Sequence, residues 1–141
     1  MTADLILIAY DGSDNAKRAI DYAGRFLTTS RAIVVTAWEP MVRQAARMSE
    51  AEDVALTDAK VTNSEGVALA EAAGLKVEGQ CTECTTAIWS AIVEKADEMN
   101  VDIIVTGTRG TTGLRALLQS SVAEHVLRHS HRPVLIVPPG K

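Results

Sequence analysis

Four short runs constrain this chain more than anything else in it: Leu5-Ile-Leu-Ile-Ala-Tyr10, Ala32-Ile-Val-Val-Thr-Ala37, Val101-Asp-Ile-Ile-Val-Thr106 and Val134-Leu-Ile-Val137. Apart from Thr36, Asp102 and Thr106 they are apolar and rich in branched residues, the pattern of strands covered on both faces. Helical spacing fills the gaps between them. From Asp14 to about Leu27, Ala16, Ala19, Ile20, Ala23, Phe26 and Leu27 share one side of the wheel, while Lys17, Arg18, Asp21 and Arg25 lie largely elsewhere. Ser13 or Asp14 is placed to cap this helix, and Pro40 blocks continuation of the second strand.

The segment Met41 to Ala73 is mostly helix-forming, although Met41 to Met48 is poorly patterned. Near its end Val67, Leu69, Ala70 and Ala73 form a packing face, and Gly74 stands where a left-handed C-cap residue belongs. Leu75 to Cys81 reads as a further strand. Thr85 to Met99 carries Ala87, Ile88, Ala91, Ile92 and Ala96 at helical spacing, and a last helix runs from Ser121 to His129. Strands alternating with helices through short loops imply an α/β domain: a parallel sheet with right-handed crossovers and helices on both faces. At 141 residues it is one domain, residues 1–141, long enough to bury a real core. Ligands of such sheets sit beyond the carboxyl ends of the strands where strand order reverses, and Asp11 and Gly107 both lie at such ends.

Gly107-Thr-Arg-Gly110, followed after nine residues by Ser120-Ser121-Val122, joins a strand, a glycine loop and a helix start. Glycines admit φ > 0 and let bare backbone N–H groups approach a ligand, while a helix start offers unpaired N–H groups and a positive dipole end. Phosphate is the natural guest. The spacing is neither the dinucleotide fingerprint, which needs glycine where Arg109 stands, nor the P-loop, since no lysine follows the last glycine.

Composition narrows the partners. A net charge of −4 gives no broad cationic footprint for nucleic acid, and aromatics for base stacking are scarce at 4%. Met1-Thr-Ala-Asp4 carries an acid instead of a basic leader, and Leu5 to Tyr10 is far too short to span a bilayer. The expectation is a cytoplasmic protein that binds neither membrane nor nucleic acid.

On these residues the chain resembles the universal stress protein family across nearly its whole length. The resemblance is carried by Ala9-Tyr-Asp11-Gly-Ser13, by Thr36-Ala-Trp-Glu-Pro40, and by Gly107-Thr-Arg-Gly110 with Ser121-Val122. The tail, Val122-Ala-Glu-His-Val-Leu-Arg-His129 and Arg132-Pro-Val-Leu-Ile-Val137, carries it too. It implies the adenine nucleotide alpha hydrolase-like fold, an open five-stranded parallel sheet of order 3-2-1-4-5, and in the nucleotide-binding branch an ATP site built on G-x2-G-x9-G-(S/T). Carried over position by position, it places Asp11 and the Ala37 backbone on the adenine side, with Ala9 and Tyr10 beside them. It sets Thr106 and Gly107 against the ribose and first phosphate, and Arg109, Gly110, Ser120, Ser121 and Val122 along the phosphates. Ser120 departs from the pattern where a third glycine is expected: its amide can still donate, but its Cβ can crowd a phosphate. Asp11 also has a purely local reading, as a turn residue bonding its own backbone.

There is no P-loop lysine, no second acid paired with Asp11, and no base placed by motif to activate water, so the expectation is binding with at most slow hydrolysis or autophosphorylation. Mg²⁺ would arrive with the ATP. ATP, AMP, ADP and cyclic nucleotides stay open as ligands. Cys81-Thr-Glu-Cys84 admits three readings: two inert thiols, a redox pair ahead of a helix, or, with His125 and His129, a zinc site. The zinc reading is weakened because those histidines end a helix running back toward the opposite edge of the sheet. His131 reads as a loop residue before Pro133.

Val134 to Val137 is expected at a sheet edge, where an uncovered apolar strand invites pairing with another chain. The resemblance likewise implies a homodimer through this strand; Pro133, Pro138 and Pro139 argue instead for a blunted edge. Two readings follow. In one the chain is an ATP-binding regulatory protein of the stress response with unknown protein partners; in the other Ser120 marks loss of the site, and the chain is a dimeric interaction module.

Overall fold

The computed structural model describes residues 5–27, 31–40, 54–108 and 122–140. The order of elements is β1 (Leu5–Ala9), α1 (Asp14–Phe26), β2 (Arg31–Trp38), α2 (Val54–Ala72), β3 (Lys76–Glu83), α3 (Ile88–Met99), β4 (Ile103–Gly107), α4 (Val122–Ser130) and β5 (Val134–Val137). The strands form one five-stranded sheet of order β3-β2-β1-β4-β5. Every pairing is parallel, with Ile8 of β1 opposite both Val34 of β2 and Val105 of β4. The expected α/β class and strand order are both met.

Strand pleating sorts the core into two layers. Ile6, Ile8 and Tyr10 pack with Ala16, Ala19, Ile20 and Ala23 of α1 and Ala70 of α2. Leu7, Ile33 and Val35 pack on the opposite face with Ile92 and Ala96 of α3 and Val126 of α4. Successive strand residues point to opposite faces, so β1 can be apolar throughout only because helices cover both.

Helix α1 starts as anticipated, with Ser13 as N-cap accepting from the Ala16 amide at 3.2 Å. Phe26 departs from the expected face: it is the last residue of α1, at the margin of the buried stripe, and is 65% exposed. It stacks on Tyr22 instead, with Arg25 over both rings. In α2, Leu69 likewise turns outward, while Ala70 is fully buried. The face that α2 buries is Leu56, Ala59, Asn63, Gly66 and Ala70, which no count of apolar residues would select. Gly74 takes the predicted left-handed conformation, φ 98. Boundaries shift by one to three residues elsewhere: β3 runs to Glu83, β4 starts at Ile103, and α3 starts at Ile88 because Ala87 is its N-cap. The poorly patterned stretch Met41 to Met48 lies outside the described residues.

Two contacts fix how the helices sit on the sheet. The Asn63 amide, 7% exposed, donates to the carbonyls of Val34 at 2.9 Å and Gln80 at 3.1 Å and approaches Thr36 Oγ1 at 3.0 Å. Thr36 in turn donates to the Tyr10 carbonyl at 2.9 Å, so one side chain of α2 is tied to three strands. At the end of β4, a Cβ on Gly107 would lie 2.6 Å from the Asn15 carbonyl oxygen of α1. Backbone cannot give way as a side-chain tip can, so only glycine fits there.

Asn63→Ala is expected to destabilise the protein by about 1–3 kcal/mol, the cost of leaving buried carbonyls without a donor. Asn63→Asp should cost more, because a carboxylate there faces carbonyl oxygens with no proton to give. Urea unfolding of both variants checks the order; Asp milder than Ala would contradict it. Gly107→Ala is expected to cost about 1–3 kcal/mol through overpacking, read as a lower urea midpoint at unchanged slope.

Candidate functional site

Parallel pairing of β1 with both β2 and β4 means that the chain leaves neighbouring strands toward opposite sides, and the reversal opens a crevice at their carboxyl ends. The cavity found there is lined by Ala9, Tyr10, Asp11, Ala37, Thr106, Gly107 and Val122, all of them anticipated from the sequence. Arg109, Gly110, Ser120 and Ser121 lie outside the described residues.

The cavity has a dry wall and a polar rim. Ala9, Val35 and Ala37 project from alternate positions of β1 and β2 toward Ile88 and Ile92 of α3, forming a flat apolar slot. Sequence reasoning missed Val35, Ile88 and Ile92, whose apolar spacing reads only as core. Ser13, Ala16 and Thr108 complete the rim. Asp11 Oδ1 accepts from the Ser13 amide at 2.9 Å, so its local turn role is real, and the same turn brings it to the cavity.

Tyr10 contributes differently from expectation. Its ring is 2% exposed and belongs to the layer beneath α1 and α2, lying against the Gly66 position and donating its hydroxyl to Glu65. Its backbone reaches the crevice, with the amide bonded to the Val35 carbonyl at 2.9 Å. Burial, with Glu65 beside it, pushes the phenol well above the usual tyrosine range, so it stays a neutral donor. Gly107 also carries a second duty: its φ is not positive, and the close approach that demands glycine comes from Asn15.

The electrostatic character comes from helix ends. In a parallel sheet every helix that follows a strand begins near that strand's carboxyl end, and here α1 supplies Ser13 and Ala16, α3 supplies Ile88, and α4 supplies Val122. Each brings the positive end of its dipole and amides without intrahelical partners. Ala87 caps α3 with no side-chain hydrogen bond to its first-turn amides. Thr108 Oγ1 is buried on the rim and has no hydrogen-bond partner among the described residues, while its amide bonds the Val137 carbonyl and its carbonyl accepts from Asn15. A hydroxyl can both donate and accept, so it adds a polar group of either sense to the rim. The arrangement suits a flat apolar ring system joined to an anion.

The cysteines and histidines do not assemble. Cys84 is 1% exposed and four residues short of α3, and burial pushes the Cys81 thiol up, against a weaker downward pull from Lys60. Both features run against a reactive thiol, which needs a lowered pKa. Among the described residues no three metal-binding side chains cluster. His125 and His129 turn instead onto Trp89 of α3. His131, in the left-handed region at φ 57, links α4 to β5 as a loop residue. No helix among the described residues is long and apolar enough to cross a membrane.

Known proteins resemble this chain in both sequence and fold. The model of the universal stress protein family matches residues 3–138. A universal stress protein of Methanocaldococcus jannaschii is 36% identical over 138 residues, covering 94% of this chain and 80% of the relative. The crystal structure of a universal stress protein in complex with cAMP superposes with a TM-score of 0.80 at 29% identity, over 97% of this chain and 98% of that one. A universal stress protein of Archaeoglobus fulgidus in complex with dAMP shares the fold, with a TM-score of 0.68 at 24% identity over 96% of this chain and 98% of that one. With the motifs, the strand order and the family match in agreement, the chain belongs to the universal stress protein family.

Proposed function

We propose that this chain is a regulatory protein of the stress response whose signal is nucleotide occupancy, with ATP and its Mg²⁺ held in the crevice and little or no fast turnover. The observation that carries this reading is convergence. Residues from the ends of β1, β2 and β4 and the start of α4 line one cavity, whose wall is apolar and whose rim is built on helix N-termini. The base fits the slot between Ala9, Ala37 and the two isoleucines of α3, and the Thr106–Thr108 turn meets the sugar and first phosphate. Arg109, Gly110, Ser120, Ser121 and Val122 take the rest of the phosphate chain, where N–H donors to charged oxygens make the stronger class of hydrogen bond. The cAMP held by a related protein supports an adenine nucleotide as the ligand class.

β5 is an edge strand with Val134, Leu135 and Ile136 only partly buried, which supports a homodimer formed along it.

Titration of the purified protein with ATP-Mg²⁺ in a calorimeter is expected to give saturable binding that Gly110→Asp abolishes, because a carboxylate is set against the phosphates. No heat at high protein concentration would instead favour an interaction module in which Ser120 has closed the site. Ile136→Arg places a charge on the free edge and is expected to convert a dimer into a monomer in sedimentation equilibrium; an unchanged mass would overturn pairing through β5.

A further inference from the structure

Away from the crevice, three aromatic rings meet between α3 and α4. The Trp89 ring lies 4.5 Å from His129 and 5.2 Å from His125, centre to centre, with interplanar angles of 24° and 15°. The imidazoles are 5.9 Å from each other at 23°. A sandwich with the indole in the middle would separate them by nearly the sum of the first two distances, so both imidazoles lie side by side against the indole.

We propose that His125 and His129, backed by Trp89, form a two-imidazole site for a borderline divalent transition-metal ion such as Cu²⁺, Ni²⁺ or Zn²⁺. Residues four apart on a helix stand on one face, one turn above the other, which is the spacing a helix uses to chelate through two histidines. With metal–nitrogen bonds near 2.0–2.1 Å, two imidazoles on one ion have centres about 5 Å apart, against 5.9 Å between these two. His129 is already prepared. Its Nδ1 lies 2.9 Å from the His125 carbonyl oxygen, an atom that can only accept, so Nδ1 carries the proton and Nε2 keeps its lone pair. That ring is exposed, and its orientation is held by the indole.

His125 supplies the complementary sign. Among the described residues its buried Nδ1 has no hydrogen-bond partner, so no hydrogen bond seen at that nitrogen commits the ring to one tautomer. Imidazole suits copper, nickel and zinc, with Cu²⁺ bound most tightly of the three. No third metal-binding side chain joins the cluster among the described residues. Two imidazoles with the remaining positions left to solvent make an open site, unlike a closed four-ligand zinc centre.

Trp89 supplies the readout. In a Trp38→Phe background it is the only indole, and NiCl₂ or CuCl₂ is expected to quench its fluorescence in a saturable, one-ion titration. His125→Gln and His129→Gln should each weaken binding by about tenfold or more, since even the loss of an outer-shell partner costs that much. His131→Gln should leave it unchanged. Native protein should also gain thermal stability with NiCl₂, and the His129→Gln variant should not. Unsaturable quenching, or equal affinity in the native protein and either glutamine variant, would overturn the site.

Discussion

The structure depends on β1 being hydrogen-bonded on both edges, with parallel neighbours that come from opposite ends of the sequence. β2 follows directly through α1, whereas β4 arrives only after two more crossovers. That single placement reverses the strand order, splits the core into two layers, and opens a crevice at the carboxyl ends of the strands. The crevice is a by-product of topology, and side chains need only decide what it accepts. Small residues at Ala9 and Ala37 keep the slot open, and the isoleucines of α3 make it dry.

The layout also reconciles the proposed anion site with a net charge of −4. The favourable potential comes from helix ends and free amides, whose effect is local and falls off within a turn, so it is indifferent to net charge. Among the described residues, no lysine or arginine lines the cavity.

Much of this was legible in the sequence. Buried strands in a doubly covered sheet announce themselves as unbroken runs of branched residues, and all of them are where those runs place them. Motif residues at strand ends were legible for the same reason, since the turn must follow the run. The rest was hidden by mixed duties. Asn63 and Gly66 belong to the buried face of α2, yet a polar amide and a glycine carry no hydrophobic signal; their reason lies in strand carbonyls and a tyrosine ring far away in sequence. Phe26 and Leu69 erred in the other direction, as apolar residues just off the stripe and near helix ends. Ile88 and Ile92 are at once core of one layer and wall of the crevice, and spacing reports only the first. The Trp89 stack needed knowledge that α3 and α4 lie side by side, which no local pattern contains.

Tyr10 illustrates a wider consequence. One residue lends its main chain to the crevice and its ring to the layer behind, where Glu65 and the Gly66 position receive it. Evolution, or an engineer, therefore cannot tune ligand preference at this position without loosening α2. Freedom to drift toward other guests is confined to the small residues Ala9 and Ala37 and the outer ends of α3 and α4, whose side chains answer to one layer alone.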